Sequence, residues 1–165
     1  MSAQPPADGG LDGHYAGIVS RFVAFVIDVV TIAALFAIGG RVVEFVVGIL
    51  LRQPVVLRDD RWAANAALAL WAFVYLAYPL AVSGRTFGMG AVGLRAVRAD
   101  GERLGPGRAV VRVLALPLSL ALFGLGFVLI VLRADRRALH DLIAGSAVVY
   151  AWNARAARVR FLTRQ

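Results

Sequence analysis

Two charged residues, Arg21 and Asp28, stand inside an apolar run from Ile18 to Ile38 that is long enough to cross a bilayer. Seven helical residues turn the chain by about 700°, so the two side chains share a helix face, about 10 Å apart along the axis. A carboxylate at the centre of a membrane costs about 2.5–3.5 kcal/mol on insertion scales. Asp28 therefore needs either a charged partner or a function that requires a carboxylate inside the membrane.

Asp28 has two interpretations. In the first, Arg21 or an arginine of loop 84–88 neutralises it, because a guanidinium pairs well with a carboxylate, and the charges only join the first helix to the cytoplasmic segments. In the second, Asp28 binds a proton or a cation in a polar cavity, and Asp141 supplies a second acidic ligand at the cytoplasmic mouth. Both interpretations remain open at this stage.

The residue types of the chain argue against catalysis and against metal binding. The chain has no Cys, and its two histidines, His14 and His140, are too few for a histidine zinc site. His140 and Asp141 are neighbours in sequence and do not face each other on a helix. We expect His140 to make a hydrogen bond at the level of the lipid headgroups. We expect no catalytic residue, no metal and no cofactor.

Composition places the chain in a membrane. Its 165 residues are 60% hydrophobic and only 17% charged, with a mean hydropathy of +0.74. A soluble domain is nearer half apolar and about a quarter charged. The net charge of +8 comes from arginines that flank apolar segments, as the positive-inside rule describes, so no nucleic-acid partner is expected. All 18 basic residues are arginines, a usage typical of GC-rich bacterial genomes, so we expect a multi-pass protein of the bacterial plasma (inner) membrane.

Two apolar segments, 18–38 and 62–82, each have the length of one transmembrane helix. Residues 42–51 are apolar but too short to cross, so they form either a helical extension or an interfacial piece. We expect loop 39–61 to be external, because its basic excess is weaker than that of loop 84–112. Pro79 should kink or end the second helix.

A third apolar segment, 109–132, has arginines at both ends. If both basic flanks face the cytoplasm, this segment is a re-entrant hairpin broken near Gly124 and Gly126; otherwise it spans fully as a kinked helix. We expect a short amphipathic helix over 134–144 after it.

Residues 83–108 combine many glycines and arginines, and within them the loose alternation over 92–99 predicts a short strand or extended segment at the membrane surface. A second strand over 146–152 would pair with it. Within this segment, Arg85 and Thr86 either hold a lipid phosphate or form a glycine-rich turn with a snorkelling arginine.

Three motifs occur in a characteristic order: Arg21 with Asp28, Gly84-Arg-Thr-Phe-Gly88, and Arg136-Arg-Ala-Leu-His-Asp141. Over about residues 15–152, the chain resembles the RDD family of bacterial membrane proteins. The resemblance implies that Arg21, Asp28 and Asp141 are the arginine and the two aspartates that give the family its name. Met89 departs from the pattern, because the family often has a lysine there.

The sequence thus predicts an all-α membrane protein: a small helical bundle with two firm transmembrane helices, a third broken or re-entrant apolar segment, and a short cytoplasmic strand pair. A disordered tail (1–14) should precede this RDD-like domain (15–152), and a basic tail (153–165) should follow it. The candidate ligand- or ion-binding residues are Arg21, Asp28, Asp141, Arg85, Thr86 and His140.

We expect a non-enzymatic accessory or scaffolding subunit of a larger membrane assembly, for example one that moves lipids or envelope precursors. One alternative is a homo-oligomeric cation- or proton-coupled transporter that uses Asp28. Another is a membrane protein that binds anionic lipid. The expected partners are membrane lipids and either a membrane protein or further copies of the chain.

Overall fold

The computed structural model describes residues 16–56, 60–98, 101–121 and 137–151. Most of these residues are helical. The elements in chain order are α1 (Ile18–Leu51), α2 (Arg61–Ser83), α3 (Phe87–Ala91), β1 (Leu94–Arg98), α4 (Pro106–Ala121), α5 (Leu139–Ile143) and β2 (Ser146–Tyr150). The expected tails, 1–14 and 153–165, lie outside the described residues.

Helix α1 is a single helix of 34 residues, about 51 Å long, which exceeds the roughly 30 Å hydrocarbon core of a bilayer. It continues through Gly39 and Gly40, so residues 42–51 are a helical extension rather than a separate interfacial piece. Each glycine weakens a helix by only about 1 kcal/mol, and the apolar residues on both sides continue the helical run.

Both α1 and α2 have the length and composition of membrane spans. Among the 18 most apolar consecutive residues of each helix, only 17% in α1 and 11% in α2 are buried inside the protein. A core helix of a soluble protein would be mostly buried, whereas these helices expose large apolar side chains such as Val19, Leu50 and Leu70. The exposed surface matches a lipid environment and supports the expected membrane class.

Helix α2 agrees with the predicted segment 62–82 to within one residue at each end. Asp60 caps its start, since its side chain accepts hydrogen bonds from the backbone N–H groups of Trp62 (2.9 Å) and Ala63 (3.4 Å). Pro79 does not end the helix, which continues to Ser83. Gly84 ends it in the left-handed conformation, with φ of 70°.

The short strand predicted over 92–99 is present as β1, and segment 83–108 also contains two helical parts that were not predicted. Residues Phe87–Ala91 form the short helix α3, and α4 already begins at Pro106. Thr86 starts α3, because its hydroxyl accepts a hydrogen bond from the Met89 N–H at 3.2 Å. Because residues 88 and 90 are glycines, which disfavour a helix, the sequence does not indicate α3.

The two predicted strands pair antiparallel, with Leu94 opposite Tyr150 and Arg98 opposite Ser146. Both edges of this ribbon carry further backbone hydrogen bonds. The Ala96 N–H donates to Gly84 O (2.7 Å), and the Ala16 N–H donates to Val148 O (2.9 Å). A two-stranded ribbon is not stable alone, and these contacts anchor it to the ends of α1 and α2.

The apolar core lies where α2, α4 and the ribbon meet, around Leu80, Leu94, Val113 and Val148. Helix α5 lies within the predicted amphipathic helix. Residues 122–136 are outside the described residues, so the choice between a re-entrant and a spanning third segment stays a prediction.

Gly88 is the contact point of α3 on α1. A Cβ at this position would collide with the Ala24 carbonyl oxygen and lie 2.9 Å from the Asp28 carboxyl carbon. We therefore expect Gly88→Ala to lower the free energy of unfolding by at least about 2 kcal/mol, because backbone would have to move. Thermal unfolding of the detergent-solubilised protein measures this effect.

Gly90→Ala is the matched control. A Cβ at Gly90 would meet nothing within 4 Å, and alanine favours a helix. We expect this variant to stay within about 1 kcal/mol of the wild type. Equal losses in the two variants would contradict close packing at Gly88.

Candidate functional site

Asp141 occupies the most enclosed charged position of the described chain, with no exposed surface. Arg21 of α1 and Arg112 of α4 each donate a hydrogen bond to its carboxylate, one to each oxygen. The Ala138 N–H, at the start of α5, donates to the same carboxylate at 3.2 Å. This single side chain therefore joins α1, α4 and α5.

The two arginines also contact the ends of other elements. Arg112 donates to the Ser146 hydroxyl at 2.9 Å, at the first residue of β2. Arg21 Nε donates to Ala16 O at 3.3 Å, beside the residue that precedes α1. Arg21 and Arg112 are both buried, so two positive charges share one carboxylate, and the cluster carries a net charge of +1.

Electrostatics keep this cluster charged. Burial alone would raise the pKa of Asp141, but the Arg112 and Arg21 guanidiniums outweigh burial and hold that pKa well below its usual range. Asp141 is therefore a structural anion near neutral pH, and not a group that exchanges protons there.

His140 is buried inside the protein, and hydrogen bonds connect it to Ser119 of α4. Its Nδ1 lies 3.1 Å from the Ser119 hydroxyl, which also accepts the His140 backbone N–H at 3.2 Å. Burial, and then the nearby positive charge of Arg112, lowers the pKa of His140 to about 4. The ring is therefore neutral near pH 7 and acts as a hydrogen-bonding group of the interior.

Asp28 forms a second buried site on α1, without an arginine partner among the described residues. Tyr75 Oη donates to Oδ1 at 3.1 Å, the Gly88 N–H donates to Oδ1 at 2.8 Å, and Thr86 Oγ1 donates to Oδ2 at 2.5 Å. The prediction that an arginine neutralises Asp28 is therefore wrong. Arg21 lies two helical turns away and pairs with Asp141 instead.

The side chains of Arg85 and Thr86 have different surroundings. Thr86 is buried, and its hydroxyl is used by Asp28 and by the N–H of Met89. Arg85 is exposed on the outer surface. Of the six candidate residues, Arg21, His140 and Asp141 come together, Asp28 and Thr86 form the second site, and Arg85 stands apart.

A cavity of about 70 Å³ connects the two sites. Its polar lining is Arg21, Asp28, Thr86, Arg112 and His140. The remaining lining is apolar and comes from α1, α2, α3, α4 and β2. This volume holds a few water molecules, which need polar partners of this kind. Across residues 16–56, 60–98, 101–121 and 137–151, no group of three His, Asp or Glu could hold a metal ion.

Four residues of these sites were not predicted: Tyr75, Arg112, Ser119 and Ser146. Arg112 looked like a basic flank of the third apolar segment, and Tyr75 looked like a packing aromatic. A charge one turn inside an apolar helix is the signal that could have identified Arg112. No comparable sequence pattern identifies the hydroxyl groups of Tyr75, Ser119 and Ser146.

We expect neutralisation of Asp141 and neutralisation of Asp28 to lower the free energy of unfolding by different amounts. Asp141→Asn leaves two buried arginines without their counter-ion, so we expect it to lower the free energy of unfolding by about 3–5 kcal/mol. Asp28→Asn keeps one carbonyl oxygen for neutral donors, so we expect a loss of about 1–3 kcal/mol. Chemical unfolding of the purified variants in detergent compares them.

Glu102→Gln serves as the control, because Glu102 forms an exposed ion pair with Arg98. Such a pair contributes at most about 1 kcal/mol. A larger loss for Asp28→Asn than for Asp141→Asn would contradict the central place of Asp141.

Comparisons with known proteins identify relatives of this chain. A model of the RDD family matches residues 15–145. Uncharacterized protein YxaI of Bacillus subtilis (strain 168) is 29% identical over 150 residues, which cover 82% of this chain and 97% of that protein. Uncharacterized protein YckC of the same organism is 38% identical over 78 residues, which cover 44% of this chain and 52% of that protein.

No solved structure matches the chain. The family match covers most of the chain and includes the arginine and both aspartates of the two buried sites. The chain therefore belongs to the RDD family of bacterial membrane proteins.

Proposed function

We propose that the chain is a non-enzymatic accessory or scaffolding subunit of a larger assembly in the bacterial plasma membrane, such as one that moves lipids or envelope precursors. The observation that carries this proposal is the use of the buried charges. Asp141 joins α5 to α1 and α4, and Asp28 joins α1 to α2 and α3. Charges used in this way make a rigid unit.

The interior offers little room for a substrate. The internal cavity beside Asp28 measures about 70 Å³, whereas sites for small organic ligands usually enclose about 300–1,000 Å³. A rigid unit with a small internal cavity supports a function at the outer surface, where a partner would bind.

Small residues are exposed on the halves of α1 and α2 that lie away from the buried sites. Ala33 and Ala37 share one face of α1, and Ala63 and Ala67 share one face of α2. Small residues let helix backbones approach closely, which is the main source of helix association in a bilayer. These faces support a partner transmembrane helix.

We expect the tagged protein to leave its native membrane in mild detergent with a stoichiometric partner. The double variant Ala33→Leu and Ala37→Leu should lose at least half of that partner, because bulky side chains keep the helices apart. Quantitative mass spectrometry of the purified complex measures the ratio of partner to bait.

Val42→Leu with Val46→Leu is the matched control, since these exposed residues have the same spacing on the opposite face of the same helix. We expect the control to keep its partner. A wild-type protein that purifies alone, or equal losses in both double variants, would refute the scaffolding proposal.

A second function, a homo-oligomeric cation- or proton-coupled transporter, is supported by one observation. Asp28 borders the internal cavity together with Arg21, Arg112 and His140, so a carboxylate inside an apolar helix has access to a space of water size. In this proposal Asp28 binds the ion, and further copies of the chain complete the pathway.

The transporter proposal predicts an ion-driven pH change in proteoliposomes that Asp28→Asn abolishes while the protein remains folded. Asp60→Asn is its control, because Asp60 is an exposed helix cap and asparagine caps equally well. Absence of any flux from the wild type, or an unchanged flux in Asp28→Asn, would exclude this mechanism.

A further inference from the structure

An open groove of about 810 Å³ runs along the outer surface between α2 and α3. Trp71, Val74 and Tyr78 form its wall on α2, and Phe87 and Gly90 line it on α3. Tyr78 and Phe87 are 69% and 65% exposed, so the groove is a bare aromatic surface. Its volume falls within the range of about 300–1,000 Å³ that is typical of ligand sites.

The length of the groove matches one leaflet of a bilayer. From Trp71 to Ser83, both in its wall, helix α2 rises about 18 Å. Half of the hydrocarbon core measures about 15 Å. The groove therefore covers the half of the candidate membrane span α2 that ends at Ser83, just before the arginine-rich segment 84–112.

Arg85 lies in the groove wall at this surface end. Within the ranges that the structure describes, no hydrogen bond or ion pair engages its guanidinium, whereas Arg98 pairs with Glu102. The Arg95 side chain passes close to Gly84, where its Nε would lie 3.4 Å from an added Cβ. The groove thus ends in positive charge, which suits a phosphate group.

Contacts to the interior hold the wall in place. Tyr75 and Thr86 both line the groove, and both donate hydrogen bonds to the buried Asp28, at 3.1 Å and 2.5 Å. A wall held in this way loses little freedom when a ligand binds, which favours binding.

We infer that this groove binds one anionic phospholipid, with an acyl chain along α2 and the headgroup phosphate on Arg85. A transmembrane helix fits less well, because helix interfaces in membranes use small residues whereas this wall is aromatic. The site does not depend on a protein partner, so it goes beyond the scaffolding proposal, and each of the two can fail without the other.

Trp71 provides the probe. In a full-length Trp62→Phe, Trp152→Phe background it is the only tryptophan of the chain. The protein is reconstituted in phosphatidylcholine vesicles that contain a small fraction of brominated phosphatidylglycerol or, separately, of brominated phosphatidylcholine. Bromine quenches tryptophan fluorescence on contact. We expect phosphatidylglycerol to occupy the groove with about fivefold preference, since one arginine near the surface contributes about that factor.

Arg85→Gln should abolish the preference. Arg103→Gln should keep it, because Arg103 is an exposed arginine of the same segment that does not line the groove. Gly90→Leu should reduce quenching by both lipids, since its side chain enters open space in the groove. Gly107→Leu is its control, with equal open space outside the groove.

Two outcomes would overturn the inference. Equal quenching by the two brominated lipids in the wild-type groove would remove the preference for anionic lipid. A Trp71 shielded from both lipids would assign the groove to a protein helix instead. Each variant should elute from size-exclusion chromatography like the parent protein.

Discussion

The burial of the Asp141 carboxylate between two arginines is the interaction on which the rest of the structure depends. A buried charge without a counter-ion costs several kcal/mol, so α1, α4 and α5 must meet where Arg21, Arg112 and Asp141 meet. This meeting point also sets the rotation of α1 about its axis. Because Asp28 follows Arg21 by about two turns on the same face, the same rotation directs Asp28 toward α2 and α3.

The two aspartates of the family motif use different chemistry. Asp141 lies in α5 and is neutralised by full positive charges. Asp28 lies in the long apolar helix α1 and accepts hydrogen bonds from two hydroxyls and one backbone amide. Short neutral donors reach Asp28 only because α3 sits directly on α1. Gly88 makes this close approach possible, since any side chain there would collide with the α1 backbone.

Because the buried charged residues join elements of the interior, we place the proposed functions at the outer surface. The two surface features lie at opposite ends of α2. The aromatic groove and Arg85 belong to the end near Ser83, and the exposed alanines 63 and 67 belong to the end near Asp60. A lipid and a partner helix could therefore occupy the same helix without competing, and Asp28 would hold the groove wall from inside through Tyr75.

Local patterns of the sequence by themselves determined the membrane class, the two long apolar helices, the two strands and the arginine and aspartates of the family motif. These features depend on runs of neighbouring residues, and length, apolarity and motif order are visible there. Only the tertiary structure decided that Arg21 pairs with Asp141 rather than Asp28, that Arg112 completes the pair, and that α3 exists. The reason is physical. Arg21 and Asp141 are 120 positions apart, so only the packing of the helices determines which charged groups meet. The close approach at Gly88 likewise determines which hydroxyls reach Asp28.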